Sequence, residues 1–166
     1  MAIVKELCAK FDGSVYLTSR NEERGVTAVE ELKKLGLAPK YHQLDLNDET
    51  SVLKFRDYLT STYGGLDVLV NNAAILFPFK EGSSDELFAD HACKTMQTNY
   101  FDTQRVCNIL FPILRPHARV VNLSSMLGHL SQITGQDSTA VELKTKLASL
   151  NITYEELDRL MQNFVE

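Results

Sequence analysis

The sequence predicts an α/β fold built on a mainly parallel, doubly wound sheet. Apolar segments of strand length alternate with amphipathic helical segments over residues 1–123. Each strand–helix–strand step requires a right-handed crossover, which lays consecutive strands parallel. Turn and breaker residues fall at the junctions, at Asp12-Gly13, Gly36, Gly64-Gly65 and Pro116.

Residues 1–11 place Ile3, Val4, Leu7, Cys8 and Phe11 on one helical face, so the chain reads as helical from its start. Ser14–Thr18 reads as a β-branched strand. Asn21 is the cap of a helix to Leu35, with Val26, Val29, Leu32 and Leu35 turned inward and Gly36 as its stop. Pro39 precedes a strand at Lys40–Leu44. Asn47 or Asp48 caps the next helix, to Tyr63, whose apolar stripe is Val52, Phe55 and Leu59. Gly64-Gly65 breaks it before a buried strand, Asp67–Asn71. A loop with Pro78 and Gly82-Ser83-Ser84 leads into a long helical region, Asp85–Leu114, kinked by Pro112 and closed by Pro116. Arg119–Leu123 reads as another buried strand. From Gly128 the pattern changes to a polar stretch and two amphipathic segments, 138–150 and 153–165, with Thr153 and Glu156 spaced as a capping box.

The length of 166 residues suits a single domain with a core of its own, and 44% apolar with 23% charged residues is ordinary for a globular protein. A net charge of −5 argues against a nucleic-acid surface. No apolar run approaches the roughly 20 residues that span a bilayer. Lys5, Glu6 and Lys10 near the start do not fit a secretory signal. Cys8, Cys93 and Cys107 lack metal-ligand spacing and read as reduced, mostly buried thiols of a cytoplasmic protein. The four histidines show no paired spacing, so no metal site is expected.

The segment Gly65-Leu66-Asp67-Val68-Leu69-Val70-Asn71-Asn72-Ala73-Ala74-Ile75 is the most informative. It combines a turn, an apolar strand, two amides and two small residues at the strand end. Ligands of open α/β sheets bind just beyond the carboxyl ends of strands, where small residues let them approach the backbone. Adjacent amides there carry a hydrogen-bonding duty, and one of them is expected to tie neighbouring strand ends together. Asn99 is a second signal, because a mid-helix Asn competes for backbone hydrogen bonds and marks a strained or functional place. Without other motifs it would read as an exposed helix residue. Ser124-Ser125 ends the last strand, where turn serines would serve equally well. No Gly-x-Ser-x-Gly elbow is present to make Ser125 a hydrolytic nucleophile.

In order and spacing, Arg20, Asp45, Asn71-Asn72-Ala73, Asn99 and Ser124-Ser125 resemble the short-chain dehydrogenase/reductase family over essentially the whole chain. Within it the chain looks like the NADPH-dependent carbonyl reductases of the monomeric type. The resemblance implies an incomplete Rossmann-like sheet, a partial dinucleotide-binding domain over 1–166 with 129–166 an insertion-like helical segment. It further implies hydride transfer from NADPH to a small-molecule carbonyl, no nucleic-acid or membrane partner, and a monomer. Arg20, joined by Arg24, would face the adenosine 2′-phosphate, since guanidinium offers a fork of donors to phosphate oxygens; judged alone it is a solvated basic residue. Asp45 and Leu46 would meet the adenine, although Asp45 serves equally as a turn residue before the helix cap. Asn72 and Ala73 would line the cofactor, with Ala74 where the family carries Gly. Asn99 would kink its helix and hold a proton-relay water. Ser125 would hydrogen-bond the substrate carbonyl.

Two family features are missing from these 166 residues. No Thr-Gly-x-x-x-Gly-x-Gly loop cradles a pyrophosphate, and Met1 falls within what resembles the helix after that loop. None of Tyr16, Tyr41, Tyr58, Tyr63, Tyr100 or Tyr154 has a Lys four residues on, so the family's Tyr-x-x-x-Lys acid is absent. The family's central first strand would lie between the strands ending at Arg20 and Asn71, so two strand pairs with unpaired edges are expected. The chain thus reads as a reductase shortened at both ends, inactive or nearly so. A non-catalytic interaction module is the alternative, and an incomplete gene assembly or splice form a third reading.

Overall fold

The computed structural model describes residues 1–78 and 84–165, so Gly82 and Ser83 of the expected loop lie outside the described residues. The fold is mixed α/β, as expected, and is organised as two compact units. One comprises Met1–Val68 and Asp102–Ala118, the other Leu69–Phe101 and Arg119–Glu166.

The first unit begins with α1 (Ala2–Lys10), β1 (Tyr16–Ser19), α2 (Glu22–Lys34), β2 (Lys40–Gln43) and α3 (Glu49–Tyr63). Strands β1 and β2 are parallel, with Tyr16 opposite Lys40 and Ser19 opposite Gln43. Local chemistry sets the helix ends as the sequence indicates. The Asn21 side chain accepts from the Arg24 N–H, and Asp48, rather than Asn47, accepts from the Thr50 N–H. Gly64 closes α3 at φ 74°, a left-handed conformation that glycine adopts without Cβ strain. Leu17, Val29 and Leu32 form a buried cluster, with Val4, Ala28, Leu37 and Tyr41 packed against it. Val52, Phe55 and Leu59 are buried along α3 as their spacing predicts, and α5 (Thr103–Leu110) packs on α3 with Val106 and Leu110 buried.

The second unit contains α4 (Asp85–Met96), capped by Ser84, a π-helical turn at Gln97–Asp102 that it shares with the first, α6 (Ser138–Leu147) and α7 (Tyr154–Val165). Thr153 and Glu156 bond each other's backbone N–H groups, so the capping box forms as expected. Helix α4 packs on α7. Strands β3 (Leu66–Asn71) and β4 (Leu114–Asn122) pair with each other and run through residues of both units. Among the described residues there are two two-stranded sheets, β1–β2 and β3–β4, so the expected two strand pairs form.

Several expectations are corrected. The first strand is Tyr16–Ser19 rather than Ser14–Thr18. Val26 and Leu35 face solvent, because the stripe of α2 runs through Gly25, Val29 and Leu32 and Leu35 lies beyond its last turn. The helical region ends at Leu110 with a 3-10 turn at Phe111–Ile113, and Pro116 lies within β4 instead of closing a helix. Neither β3 nor β4 is buried: Val121 is 44% exposed, since a two-stranded ribbon has little to cover its faces. Cys93 is exposed, and Cys8 and Cys107 are only half-buried.

Helix α2 approaches the β1–β2 pair so closely at Gly25 that a Cβ there would overlap the Tyr41 ring and Ser19 Oγ. Alanine would favour the helix by about 0.8–1 kcal/mol, yet overpacking costs about 1–3 kcal/mol. We expect Gly25→Ala to lower stability by up to about 2 kcal/mol, read as a lower urea midpoint with unchanged slope.

Candidate functional site

In the first unit, the expected ligand-facing residues stand at the carboxyl ends of the parallel strands. Arg20 follows β1 directly, and Arg24 lies in the first turn of α2. Both side chains are exposed, and neither forms an ion pair among the described residues. Glu22 and Glu23 occupy the same turn and balance the local charge. Directed guanidinium donors, rather than a basic field, are therefore what this corner offers an anion. Tyr41 donates to the Ser19 carbonyl at 3.2 Å, and Ser19 Oγ donates to the Asn21 carbonyl at 2.8 Å, which fixes the backbone on either side of Arg20.

A hydrogen-bond relay joins the two strand ends. Gln43 Nε2 donates to the Arg20 carbonyl at 3.3 Å, and its Oε1 accepts from Ser51 Oγ at 3.0 Å. Ser51 Oγ accepts in turn from the Asp45 N–H at 3.0 Å. Asp45 Oδ1 accepts from the Asn47 N–H at 3.1 Å, so the carboxylate makes the turn that precedes α3. Of the two readings of Asp45, the turn is the one its bonds display. Leu46 is half-buried, and its carbonyl accepts from Arg105 at 3.1 Å, while Arg105 pairs with the buried Asp102 at 3.0 Å. Gln43, Ser51 and Arg105 were not singled out by the sequence. A Ser three residues after a capping Asp was the sequence signal available for Ser51.

In the second unit, the two amides divide their duties. Asn71 Nδ2 donates to Asn122 Oδ1 at 2.8 Å, and the Asn71 carbonyl accepts from the Leu123 N–H at 2.9 Å, so Asn71 ties the strand ends. Asn72 and Ala73 are exposed, and the Asn72 amide bonds nothing among the described residues. Asn99 lies in the π-helical turn, where a mid-helix Asn marked a misfit. Its amide bonds the Ile75 peptide at both ends, donating to the carbonyl and accepting from the N–H, each at 2.8 Å. It thereby fixes the segment just after Asn72-Ala73-Ala74. Ser125 is exposed, and its Oγ accepts from the Leu127 N–H at 3.2 Å. That bond leaves the hydroxyl proton available to donate. No group of three or more His, Cys, Asp or Glu able to hold a metal occurs among the described residues.

Parallel strands with crossover helices, and polar residues gathered at the strands' carboxyl ends, define a dinucleotide-fold protein. The family model of the short chain dehydrogenases matches residues 1–138, and the chain belongs to that family. It is 47% identical over 165 residues to carbonyl reductase (NADPH) 1 of Mus musculus and 45% identical over 166 residues to that of Homo sapiens. Those alignments cover 99% and 100% of this chain and 57% of each relative, so the chain spans less than two thirds of their length. Menthone neomenthol reductase from Mentha piperita superposes with a TM-score of 0.82 at 28% identity, covering 98% of this chain and 67% of that one. Salutaridine reductase from Papaver somniferum gives 0.80 at 25% identity, covering 98% and 64%. No helix of the described residues is long and apolar enough to cross a membrane.

Ser51 is 4% exposed and serves both partners of the relay, so its removal strands the Gln43 oxygen and the Asp45 N–H. We expect Ser51→Ala to cost about 1–3 kcal/mol in a denaturant melt. Ser51→Thr, which keeps the hydroxyl, should recover part of the loss.

Proposed function

We propose that the chain carries the adenosine-binding and carbonyl-polarising residues of an NADPH-dependent carbonyl reductase, and that these 166 residues alone reduce carbonyls little or not at all. The observation that carries this reading is the pair of exposed guanidinium groups, Arg20 and Arg24, at the carboxyl end of β1. Their donors fit a phosphate monoester on a ribose, the group that separates NADPH from NADH. The names of the related carbonyl reductases support the same cofactor.

In this reading Arg20 and Arg24 hold the 2′-phosphate, while Asp45 and Leu46 flank the adenine. The exposed Asn72 and Ala73 line the cofactor's path in the second unit. When bound, NADPH supplies the hydride. Ser125 donates its free hydroxyl proton to the carbonyl oxygen, where negative charge accumulates, while the Leu127 N–H holds its lone pair in place. Asn99 positions the Ile75 segment through its amide, and the π-turn opens the helix ladder where a proton relay would run. What these residues do not provide is a glycine-rich pyrophosphate cradle or a Tyr-Lys acid to protonate the alkoxide. Substrates would be small carbonyl compounds. A cytoplasmic monomer is proposed, supported by three cysteines that form no disulfide among the described residues and by the insertion-like segment 129–166.

A non-catalytic interaction module is the second reading. It is favoured by exposed apolar residues of the second unit, such as Leu76 at 71%, Leu123 at 49% and Met126 at 80%. A monodisperse chain with a cooperative melt and a co-purifying partner would support it, and aggregation would count against it.

The purified chain mixed with NADPH and a quinone or reactive aldehyde should consume no cofactor above the buffer rate. Robust turnover would overturn the proposed inactivity. Arg20→Ala should weaken binding of adenosine 2′,5′-bisphosphate about tenfold by calorimetry, the value of one charge-assisted hydrogen bond, and leave AMP binding unchanged. Equal losses for both nucleotides would remove Arg20 from the phosphate site.

A further inference from the structure

We propose that Tyr63 is an oxygen nucleophile that takes acyl groups from activated acyl donors, its phenolate held by Lys40 and Tyr16. The site lies at the amino end of the β1–β2 pair, whereas Arg20 and Asp45 stand at the carboxyl end, so it is independent of the reductase reading.

The parallel register sets Tyr16 opposite Lys40, the first residues of their strands, and α3 ends beside them with Tyr58 and Tyr63. Lys40 Nζ donates to Tyr63 Oη at 2.7 Å and to Ser14 Oγ at 3.0 Å. Tyr16 Oη lies 2.8 Å from Tyr63 Oη and 2.6 Å from Tyr58 Oη. The ammonium also stands 5.2 Å from the centre of the Tyr63 ring. A phenolate at Tyr63 would thus accept from a full cation and from a second phenol, which is an oxyanion site built around a side chain.

The other charged and titratable neighbours do not oppose this. Arg115 donates to the Tyr63 backbone carbonyl and pairs with Asp67 at 2.6 Å, which offsets that carboxylate. His42 lies tilted against Tyr58 at 4.8 Å between ring centres, and Tyr58 and then Tyr16 stand between it and the reactive oxygen. No carboxylate bonds Tyr63 or Lys40 among the described residues. The Lys40 hydrogen bond, followed by those of Tyr16 and Ser14, pulls the Tyr63 phenol down to about 8. Burial, with the Tyr58 and Tyr63 contacts, pushes the Tyr16 phenol up, so Tyr16 stays protonated as a donor. Tyr63 is itself only half-buried and open to a reagent.

In the reaction the Tyr63 oxygen attacks the acyl carbonyl carbon. The phenol first releases its proton to solvent; a new C–O bond then forms, the bond to the leaving group breaks, and the leaving group departs with the electron pair and takes a proton back from solvent. Nothing is oxidised or reduced. With N-acetylimidazole the products are O-acetyl-Tyr63 and imidazole.

The test treats the full chain with limiting N-acetylimidazole near neutral pH and reads site occupancy by peptide mass spectrometry. Tyr154 is the internal standard, being 51% exposed with no lysine on its oxygen among the described residues. Tyr63 should acetylate about tenfold faster than Tyr154, reflecting its larger phenolate fraction. The label should be released by hydroxylamine, as an aryl ester is. Lys40→Met should bring Tyr63 to the rate of Tyr154, and Lys40→Arg should keep the difference. Tyr154 reacting as fast as Tyr63 in the wild-type chain would overturn the proposal, as would a hydroxylamine-resistant label on Lys40. The wild-type comparison decides the matter whether or not the variants fold.

Discussion

The side chain of Gln43 is the interaction on which the candidate cofactor corner depends. A two-stranded parallel sheet is marginal by itself, and its strand ends would splay without a cross-tie. Gln43 supplies one by donating to the backbone of Arg20 and accepting from Ser51, which in turn holds the backbone of Asp45. A single amide thereby fixes the spacing between the residue expected at the ribose phosphate and the residue expected at the adenine. Gly25 adds to this by letting α2 rest directly on Ser19 and Tyr41, which carries Arg24 to the same corner. Preorganisation of this kind lowers the ordering cost of binding.

The two units differ in what holds them. All ten buried hydrophobic side chains among the described residues, from Val15 to Leu110, belong to the first unit. The second unit relies on hydrogen bonds: the Asn71–Asn122 tie, the Asn99 clamp on Ile75 and the caps at Ser84, Asp137 and Thr153. Its apolar residues, including Phe88, Leu123 and Met126, remain largely exposed. The free energy of folding therefore concentrates in the first unit, and the hydroxyl of Ser125 rests on a scaffold with little hydrophobic burial.

What could be read in the sequence was what depends on near neighbours. Asn21, Asp48 and the Thr153–Glu156 box were legible because a cap bonds backbone groups only two or three residues away. Asn99 was legible as a helix misfit, although its partner Ile75 was not. The apolar stripe of α3 was legible because both its ends are fixed by caps. Misreadings arose where tertiary context decides: Val121 carries a strand pattern, yet nothing covers its face, and Val26 is apolar but lies about 100° around α2 from Gly25. The Gln43–Ser51 relay and the Lys40–Tyr63 bond were invisible because each partner is individually unremarkable. Only the β1–β2 register, which joins segments more than twenty residues apart, brings Tyr16 and Lys40 to the same edge.

In the proposed reading, this chain holds the adenosine half of NADPH but not the half that reacts. Calorimetric titration of the full chain with the two halves separately tests it most directly, using adenosine 2′,5′-bisphosphate and reduced nicotinamide mononucleotide. The account predicts saturable binding of the first and none of the second. Binding of the nicotinamide half, or failure of the adenosine half to bind a chain that melts cooperatively, would contradict it.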